Sequence, residues 1–352
     1  MTLPVAARPP LRVGIIGTGK IAADHHRGYV EAGAEVVALA DPSEAALTRR
    51  AAEWAVTRVF SDYRDLLALP DVEAVSVSAP NAVHGPVTIA AAAAGKHVLC
   101  EKPVSLSLVE GRAMIDACAT AGVILQVNHH LRASPSVRRV VELLGSGALG
   151  QVTFIRLRQA HDWGGLPEVP VSFRTATLAG GGTLLDNGCH LFDLARHLGG
   201  PVVETYARTA RLKFVVEVED TAVASLRFAS GALGQIETQW TATGWEMSFA
   251  VYGTRGALEY SDRSGRPVLR WIRRDEGNAS WADADVTAWE GGGGSDRSKA
   301  VAAFVSAVRG TGPVICTGED GLEAVRLALA SYESAGRNAP VALMAPAPGS
   351  DG

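Results

Sequence analysis

The feature that most restricts the fold is a glycine-rich turn near the start of the chain. The apolar β-branched run that ends at Ile16 leads directly into a turn that reads Gly17-Thr18-Gly19-Lys20-Ile21-Ala22. This is the G-x-G-x-x-G/A pattern in the context it requires, with a strand before it and a helix after it. The first glycine allows the turn, and the second lets the backbone approach a pyrophosphate. The pattern therefore predicts a nucleotide site that contains Gly17, Gly19, Lys20 and Ile21.

The end of the next strand indicates which nucleotide is bound. The run "EVVALAD" ends in Asp41, about twenty residues after the glycine pattern, where an acid can bind both hydroxyls of the adenosine ribose. A carboxylate at this place would also repel a 2′-phosphate. No arginine follows Asp41 directly, although Arg49 and Arg50 are near enough to fold back. We therefore expect NAD in preference to NADP, with NADP still possible.

Short apolar runs separated by helical segments continue to about residue 128. The runs "AVSVSAP", "HVLCEKP" and "VILQVN" suit buried parallel strands of a doubly wound sheet, and the first domain is predicted as residues 1–128. Ligands in such sheets bind beyond the carboxyl ends of the strands. Residues able to contact a cofactor or substrate follow each run, and they are Pro80, Asn81 and His84, then Glu101 and Lys102, then Asn128, His130 and Arg132.

The sequence changes in character after "LGSGALGQV". Strand-like runs separated by Gly or Ser-Gly turns predict an α/β domain with a large, open, mainly antiparallel sheet, in residues 129–352. One face of that sheet would carry the substrate cleft, and the other is a candidate subunit interface. Helices near 296–309 and 319–335 would follow a glycine loop at 291–294, and these helices are free to pack back on the first domain.

The segment 180–200, "GGGTLLDNGCHLFDLARHLGG", concentrates ionisable residues on one predicted helix. Positions four and seven residues apart share a helix face, so Asp186, His190 and Asp193 are expected to project together. His197, one turn further on, is expected to be structural. Ordinary exposed helices carry similar charged pairs, so this segment alone leaves both a solvated face and a cleft open.

Composition excludes several classes of partner. The chain has 47% hydrophobic and 20% charged residues with a formal net charge of -4, which gives no reason to expect binding to nucleic acid or to an anionic membrane. The four cysteines are far apart and form no zinc spacing, and the tandem His129 and His130 alone do not make a metal site. We therefore expect no bound metal. The sequence has no run of about 18 apolar residues and no secretory pattern, so we expect a cytoplasmic protein.

Five stretches taken in order resemble the Gfo/Idh/MocA oxidoreductases, the glucose-fructose oxidoreductase and inositol dehydrogenase group. They are "GIIGTGKIAADH", "APNAVHGP", "CEKPVSLSL", "SGALGQV" and the segment 180–200. The resemblance implies a Rossmann domain, an open-faced α/β domain and nicotinamide chemistry on sugars or cyclic polyols. It also implies a homodimer or homotetramer assembled through the open sheet face. The lysine of E-K-P and the acid and histidine of D-x-G-x-H act together in the family, and here they are Lys102, Asp186 and His190.

Oxidation of a secondary alcohol sends a hydride to the nicotinamide and the hydroxyl proton to a base. Because an imidazole titrates near pH 6.5, we expect His190 to be the base, with Asp186 holding or stabilising its ring. Lys102 would donate a hydrogen bond to the reacting oxygen, and the resemblance implies a cis bond from Lys102 to Pro103. Further substrate contacts are expected from Asn128, His130, Arg132, Trp163 and Asp193, although Trp163 suits core packing equally well.

The resemblance leaves three functions open. A dehydrogenase acting on a cyclic polyol, sugar or glycoside is the leading one. An NAD-dependent glycoside hydrolase would oxidise, eliminate and re-reduce its substrate, and so release product without accumulating NADH. A ligand sensor that keeps the fold is the third, and the presence of Lys102, Asp186 and His190 argues against it.

Overall fold

The computed structural model contains two β-sheets. It describes residues 9–162, 166, 169–170, 173–263, 265–274, 280–286 and 295–343. Trp163 and the glycine run 291–294 lie outside the described residues. Within these ranges, no helix combines the length and the apolar character that a membrane crossing requires.

The N-terminal sheet has six parallel strands. They are β1 (Arg12–Ile16), β2 (Glu35–Ala40), β3 (Val59–Phe60), β4 (Ala74–Val77), β5 (His97–Cys100) and β6 (Leu125–Val127). Their order is β3-β2-β1-β4-β5-β6, and every neighbouring pair is parallel. The connecting helices are α1 (Lys20–Glu31), α2 (Glu44–Trp54), α3 (Tyr63–Leu67), α4 (His84–Ala93) and α5 (Leu108–Ala121). This arrangement confirms the predicted doubly wound Rossmann sheet, whose strand order reverses at β1 and β4, where ligands bind.

Local chemistry explains how the first crossover is built. Gly17 has φ +89°, and a Cβ added there would lie 2.6 Å from the carbonyl carbon of Ser78. Only glycine combines that conformation with so close an approach to the next strand. Gly19 is the N-cap of α1 and makes no side-chain hydrogen bond to the helix.

The second sheet has nine strands. They are β7 (Val152–Ala160), β8 (Val202–Ala210), β9 (Thr221–Phe228), β10 (Leu233–Gln239), β11 (Glu246–Gly253), β12 (Gly256–Arg263), β13 (Pro267–Arg273), β14 (Ala282–Asp283) and β15 (Val341–Ala342). The order is β14-β13-β12-β11-β7-β10-β9-β8-β15. The β7–β10 pair is parallel and the other neighbouring pairs are antiparallel, which confirms a mainly antiparallel sheet. Residues alternate between buried and exposed along β9, as expected when one face packs on a core.

The helices in the rest of the chain pack on the second sheet, on one another or on the first domain. They are α6 (Pro135–Gly145), α7 (Ala176–Ala179), α8 (Thr183–Asp186), α9 (Gly188–Gly199), α10 (Asp296–Val308) and α11 (Gly318–Arg337). The leucines of α9 are buried against β7 and β10. The two C-terminal helices pack back on the first domain, because α10 contacts α1 and α11 contacts α5. The domain boundary at residue 128 stays a prediction.

Candidate active site

The glycine turn has the shape and chemistry of a pyrophosphate site. A Cβ added at Gly19 would meet no atom within 4 Å, so the space above this residue is open. α1 begins at this glycine without a side-chain cap, and the helix dipole favours negative charge at that end. Lys20 and Ile21 form the first turn of α1. The residues present therefore fit the pyrophosphate of a dinucleotide.

Asp41 lies beside this turn, at the end of β2. Its carboxylate accepts hydrogen bonds from the amide and hydroxyl of Thr18 at 2.7 and 2.9 Å, and from the amide of Ser43 at 2.9 Å. Arg50 does fold back, and its guanidinium donates to the carbonyls of Thr18 and Gly19 at 3.4 and 3.2 Å. Arg50 is also paired with Glu53 at 2.6 Å, so much of its hydrogen-bonding capacity is already used. The negative charge next to the turn is that of Asp41.

We expect the Asp41→Asn variant to improve the binding of NADPH relative to NADH by about tenfold or more. The amide oxygen keeps an acceptor for Thr18, while the charge that repels a 2′-phosphate is removed, and about 1.4 kcal/mol corresponds to tenfold in affinity. The measurement is titration of both reduced cofactors by their fluorescence. Glu44→Gln, which removes a neighbouring exposed charge at the start of α2, is the matched control. An unchanged ratio in Asp41→Asn would contradict the role of this acid.

A buried hydrogen-bond network links α1 to the tips of β5 and β6. Glu101, directly after β5, accepts from His25 at 2.7 Å and from the Asn128 amide at 2.6 Å. His25 also contacts Ser76 of β4 through its other ring nitrogen. Burial alone would raise the pKa of Glu101, but these donors and Lys102 hold it well below its usual value. Glu101 and Asn128 thus position the turn that carries Lys102.

Lys102 and Asp186 form an ion pair across the two domains. The Lys102 ammonium donates to the carboxylate of Asp186 at 2.7 Å and to its backbone carbonyl at 3.1 Å. The two side chains are 16% and 13% exposed, so water reaches only part of the pair. Burial alone would lower the pKa of Lys102, but the charge and hydrogen bond of Asp186, together with Cys189 and Glu101, outweigh burial and the pKa is raised. The bond from Lys102 to Pro103 is cis, as the resemblance implied.

His190 lies next to two other histidines. Its Nδ1 is 3.3 Å from Nδ1 of His129, and its ring centroid is 4.7 Å from that of His130. Burial, then the charges of Lys102 and the neighbouring histidines, and finally Arg297 of α10, hold the pKa of His190 well below 6.5. Its imidazole is therefore neutral near pH 7 and able to accept a proton.

The structure changes the expected role of Asp186 toward His190. The predicted single helix is two helices, α8 and α9, which meet at Asn187. The carboxylate and the backbone carbonyl of Asp186 both accept from Lys102, and the polar contact of the His190 ring is with Nδ1 of His129. Helix periodicity predicts that Asp186 and His190 share a face, but it does not reveal that Lys102 binds the carboxylate.

Arg132 and Asp193 are brought together away from the Lys102 ion pair. They form a two-pronged pair with distances of 2.9 and 2.7 Å, and Arg132 also contacts Asp320 of α11 at 3.0 Å. Asp193 is 1% exposed and Arg132 is 8% exposed. Their polar atoms are used within the fold, so their predicted substrate contacts are not favoured by this geometry. The pair instead connects the tip of β6, α9 and α11.

Arg132→Met is expected to destabilise the protein by about 3–5 kcal/mol, because it leaves the Asp193 carboxylate buried without its cation. The double variant Arg132→Met with Asp193→Leu should lose less than the sum of the two single variants, since neither charge then remains unpaired. Urea unfolding of the four proteins measures this coupling. A large rise in the substrate KM with unchanged stability would instead indicate a substrate contact.

The remaining predicted residues are divided between the surface and the interior. Asn81 donates to the carbonyl of Ala179 at 3.1 Å, which ties the β4 tip to the second domain. His84 has no exposed surface, and its ring nitrogens face the carbonyls of Pro103 and Ala79 at 2.8 and 2.9 Å. His84 therefore connects the loop after β4 with the loop after β5. Pro80 precedes this turn, and His130 is half-buried beside His190.

Three functional candidates were missed by the sequence reasoning. His25 is buried on the inner face of α1, one turn before the buried Tyr29, and a polar residue in that apolar position was the available signal. His129 is one of two adjacent histidines that do not by themselves indicate a metal site, and the sequence assigns it no other role. Arg297 approaches from α10, and its sequence position carried no signal at all. Among the described residues, no group of three or more His, Cys, Asp and Glu has a geometry that could hold a metal.

Comparisons with known proteins agree with this architecture. Residues 11–129 match the model of the Gfo/Idh/MocA oxidoreductase family, NAD-binding Rossmann fold, and residues 137–259 match the C-terminal domain of that family. A 1,5-anhydro-D-fructose reductase from Ensifer adhaerens is 33% identical over 92% of this chain and 96% of its own length.

Two further relatives are levoglucosan dehydrogenases. The one from Pseudarthrobacter phenanthrenivorans is 30% identical over 77% of this chain and 76% of its own length. A solved levoglucosan dehydrogenase in complex with NADH and levoglucosan has 25% identity and a TM-score of 0.86, covering 95% of this chain and 99% of that one. The two domain matches and these relatives show that the chain belongs to the Gfo/Idh/MocA family of NAD-binding oxidoreductases.

Proposed function

We propose that this chain is an NAD-dependent dehydrogenase that oxidises a secondary ring hydroxyl of a sugar, an anhydrosugar or a cyclic polyol. The observation that carries the proposal is the 2.7 Å ion pair between Lys102 and Asp186 beside a neutral, buried His190. This group lies at the strand edge that also carries the glycine turn. A cation and a proton acceptor in one group, with Lys102 at the sheet edge of the glycine turn, support the transfer of a hydride from an alcohol to NAD.

Each residue has a separate task in this proposal. NAD supplies the hydride acceptor when it is bound. Lys102 has three donor hydrogens and uses two of them on Asp186, so one remains for the reacting oxygen. His190 accepts the hydroxyl proton, since its lowered pKa keeps it neutral at pH 7. Asp186 acts by holding the ammonium in position.

Anhydrosugars are the first substrates to test. The relatives named 1,5-anhydro-D-fructose reductase and levoglucosan dehydrogenase both act on sugars of this kind. An aromatic surface beside the candidate site suits the apolar face of a sugar ring. Trp245, which is 41% exposed, stacks on His161 with the ring centroids 5.5 Å apart, and His161 contacts Asn187 at 3.1 Å.

The test is the absorbance of reduced nicotinamide after the protein is mixed with NAD or NADP and a panel of substrates. The panel contains levoglucosan, 1,5-anhydro sugars, inositols, aldoses and glycosides. We expect NADH to accumulate with one or a few ring alcohols. Cleavage of a glycoside without net NADH would support the hydrolase instead, and tight sugar binding with no turnover of any substrate would support the sensor.

We also propose that two copies of the chain pair through the open face of the second sheet. Its outward side chains carry charges of both signs in ion pairs, including Arg158 with Glu237 and Arg227 with Glu204. A surface of mixed charge can be complementary to itself under two-fold symmetry. Exposed apolar side chains, including Val223 of β9, lie on the same face.

Light scattering after size exclusion should give a mass above that of one 36.7 kDa chain. Val223→Arg is expected to lower this mass toward a single chain, because it adds a charge to the middle of the interface. Val109→Arg, at an exposed valine of α5, is the matched control and should leave the mass unchanged. A wild-type protein that runs as a monomer at micromolar concentration would contradict the pairing.

A reducing compartment is part of the same proposal. All four cysteines, Cys100, Cys118, Cys189 and Cys316, are buried and free. Free buried thiols are typical of proteins kept under reducing conditions, which supports placement in the cytoplasm.

A further inference from the structure

His129 makes an unusual contact for a buried histidine. His129 is the second residue after β6 and is 1% exposed. Its Nδ1 is 3.3 Å from Nδ1 of His190, and the two rings are nearly perpendicular at 85° with centroids 5.3 Å apart. Its Nε2 has no hydrogen-bond partner in the described part of the chain. The polar contact of this buried ring is therefore directed at His190.

Two ring nitrogens that face each other can form a hydrogen bond only when one of them carries the proton. If Nδ1 of His190 donates and Nδ1 of His129 accepts, the lone pair on Nε2 of His190 is free to take a proton from a substrate. In the opposite arrangement, Nε2 of His190 already carries a hydrogen and cannot act as a base. The partner of Nδ1 therefore decides whether His190 is competent for oxidation.

The charges around the two rings are different. The groups that act on His190 from other elements are Lys102 after β5, His129 and His130 after β6, and Arg297 of α10, and each of them opposes a positive charge on that ring. The groups that act on His129 are Asp193 of α9 and Glu101 after β5, which favour a positive charge, and Arg132 and Lys102, which oppose it. Burial lowers the pKa of both rings. Carboxylates thus partly offset the cost of a cation on His129, while no carboxylate among the leading influences does so for His190.

We propose that His129 is a positioning residue that accepts the Nδ1 hydrogen of His190 and shares the proton taken from the substrate. The substrate O–H bond breaks as an N–H bond forms at Nε2 of His190. The N–H bond at Nδ1 of His190 then breaks as one forms at Nδ1 of His129. This step moves protons only, and the net positive charge is held by the pair of imidazoles. The inference rests on the assignment of His190 as the base.

The tautomer of His190 can be measured without a substrate. The protein has nine histidines, and labelling their rings with ¹⁵N distinguishes protonated from bare ring nitrogens by NMR in the NAD-bound enzyme. We expect a protonated Nδ1 and a bare Nε2 in His190, with the His190 signals identified by their loss in His190→Gln. A wild-type His190 with a bare Nδ1 and a protonated Nε2 would overturn the proposal, whatever the variants of His129 do.

Two replacements of His129 separate hydrogen bonding from packing. His129→Phe fills the same space without an acceptor, whereas His129→Asn places an amide oxygen near the position of Nδ1. We expect the wild-type tautomer of His190 to persist in His129→Asn and to be lost in His129→Phe. His197→Asn replaces an exposed histidine of α9 and should leave the His190 signals unchanged. Equal effects of the Phe and Asn replacements would indicate a packing role and overturn the proposal.

Kinetics with the substrate found in the panel provides the second measurement. His129→Phe should lower kcat about tenfold or more and leave the KM for NAD unchanged, with His129→Asn recovering most of kcat. The acidic limb of the pH profile should move to lower pH in both variants, because neither side chain can share the proton. If His190→Ala keeps normal turnover, the base assignment itself fails. If His190→Ala is inactive while His129→Phe is like wild type, only the role of His129 fails.

Discussion

Replacement of His190 with alanine is expected to lower kcat by at least about 100-fold, the usual contribution of a positioned general base. The ring lies in the site with its pKa held well below 6.5 by burial and by nearby cations. The acidic limb of kcat/KM for the wild-type enzyme should therefore lie below pH 6.5, since the base loses activity only when it becomes protonated. Steady-state oxidation measured across pH gives both results.

The matched control for this prediction is His197→Ala, which removes an exposed histidine from the same helix. It should leave kcat and the pH profile unchanged. Binding of NADH to His190→Ala should remain close to that of the wild type, because the glycine turn is in the other domain. Near-normal turnover in His190→Ala would remove His190 from the mechanism.

Replacement of Lys102 with methionine is expected to lower kcat by about 10²–10³-fold, the size seen when one donor to a developing oxyanion is removed. The variant is unbranched and one atom shorter than lysine, and it leaves the Asp186 carboxylate, 13% exposed, without its cation. Because the pKa of Lys102 is raised, its ammonium should stay charged throughout the neutral and moderately alkaline range. Lys102 should consequently add no basic limb to the pH profile there.

Lys213→Met, at an exposed lysine of the second domain, is the control for a general loss of charge. Lys102→Arg tests geometry separately, because it retains a cation with a different arrangement of donors. For Lys102→Met we expect both a large fall in kcat and unchanged binding of NADH. A rise in the substrate KM with normal kcat would mean that Lys102 binds the ground state rather than the developing alkoxide.

The first domain could be predicted from the sequence because short stretches of sequence indicate each of its main elements. Each buried strand is a short apolar run, and the glycine turn requires a strand before it and a helix after it. The edge strand β3 has only two residues, Val59 and Phe60, and such a short run is too small to recognise. In the second sheet, neighbours in sequence were expected to pair as antiparallel strands. β7 and β10 pair in parallel although α7 to α9 and the strands β8 and β9 separate them in sequence, and no local pattern records such a pairing.

The site was predicted less completely than the fold. The E-K-P and D-x-G-x-H motifs identified the side chains that meet, and the structure shows Lys102 on Asp186. Helix periodicity shows which residues share a face, but it does not show what lies opposite that face. The sequence therefore predicts a substrate contact for Asp193 on the same face as Asp186, whereas the structure pairs Asp193 with the buried Arg132. His129 escaped notice because its importance arises from a contact with a residue 61 positions away.

The most direct test of the proposed chemistry is to follow the hydrogen on the reacting carbon. The active substrate would be prepared with deuterium at the hydroxyl-bearing carbon, and the reduced nicotinamide would be analysed by mass spectrometry. We expect one deuterium in each reduced cofactor, formed in step with the ketone by the wild-type enzyme and at least about 100-fold more slowly by His190→Ala. Deuterium that stays in the sugar or is lost to water while the substrate is consumed would contradict direct oxidation at this site.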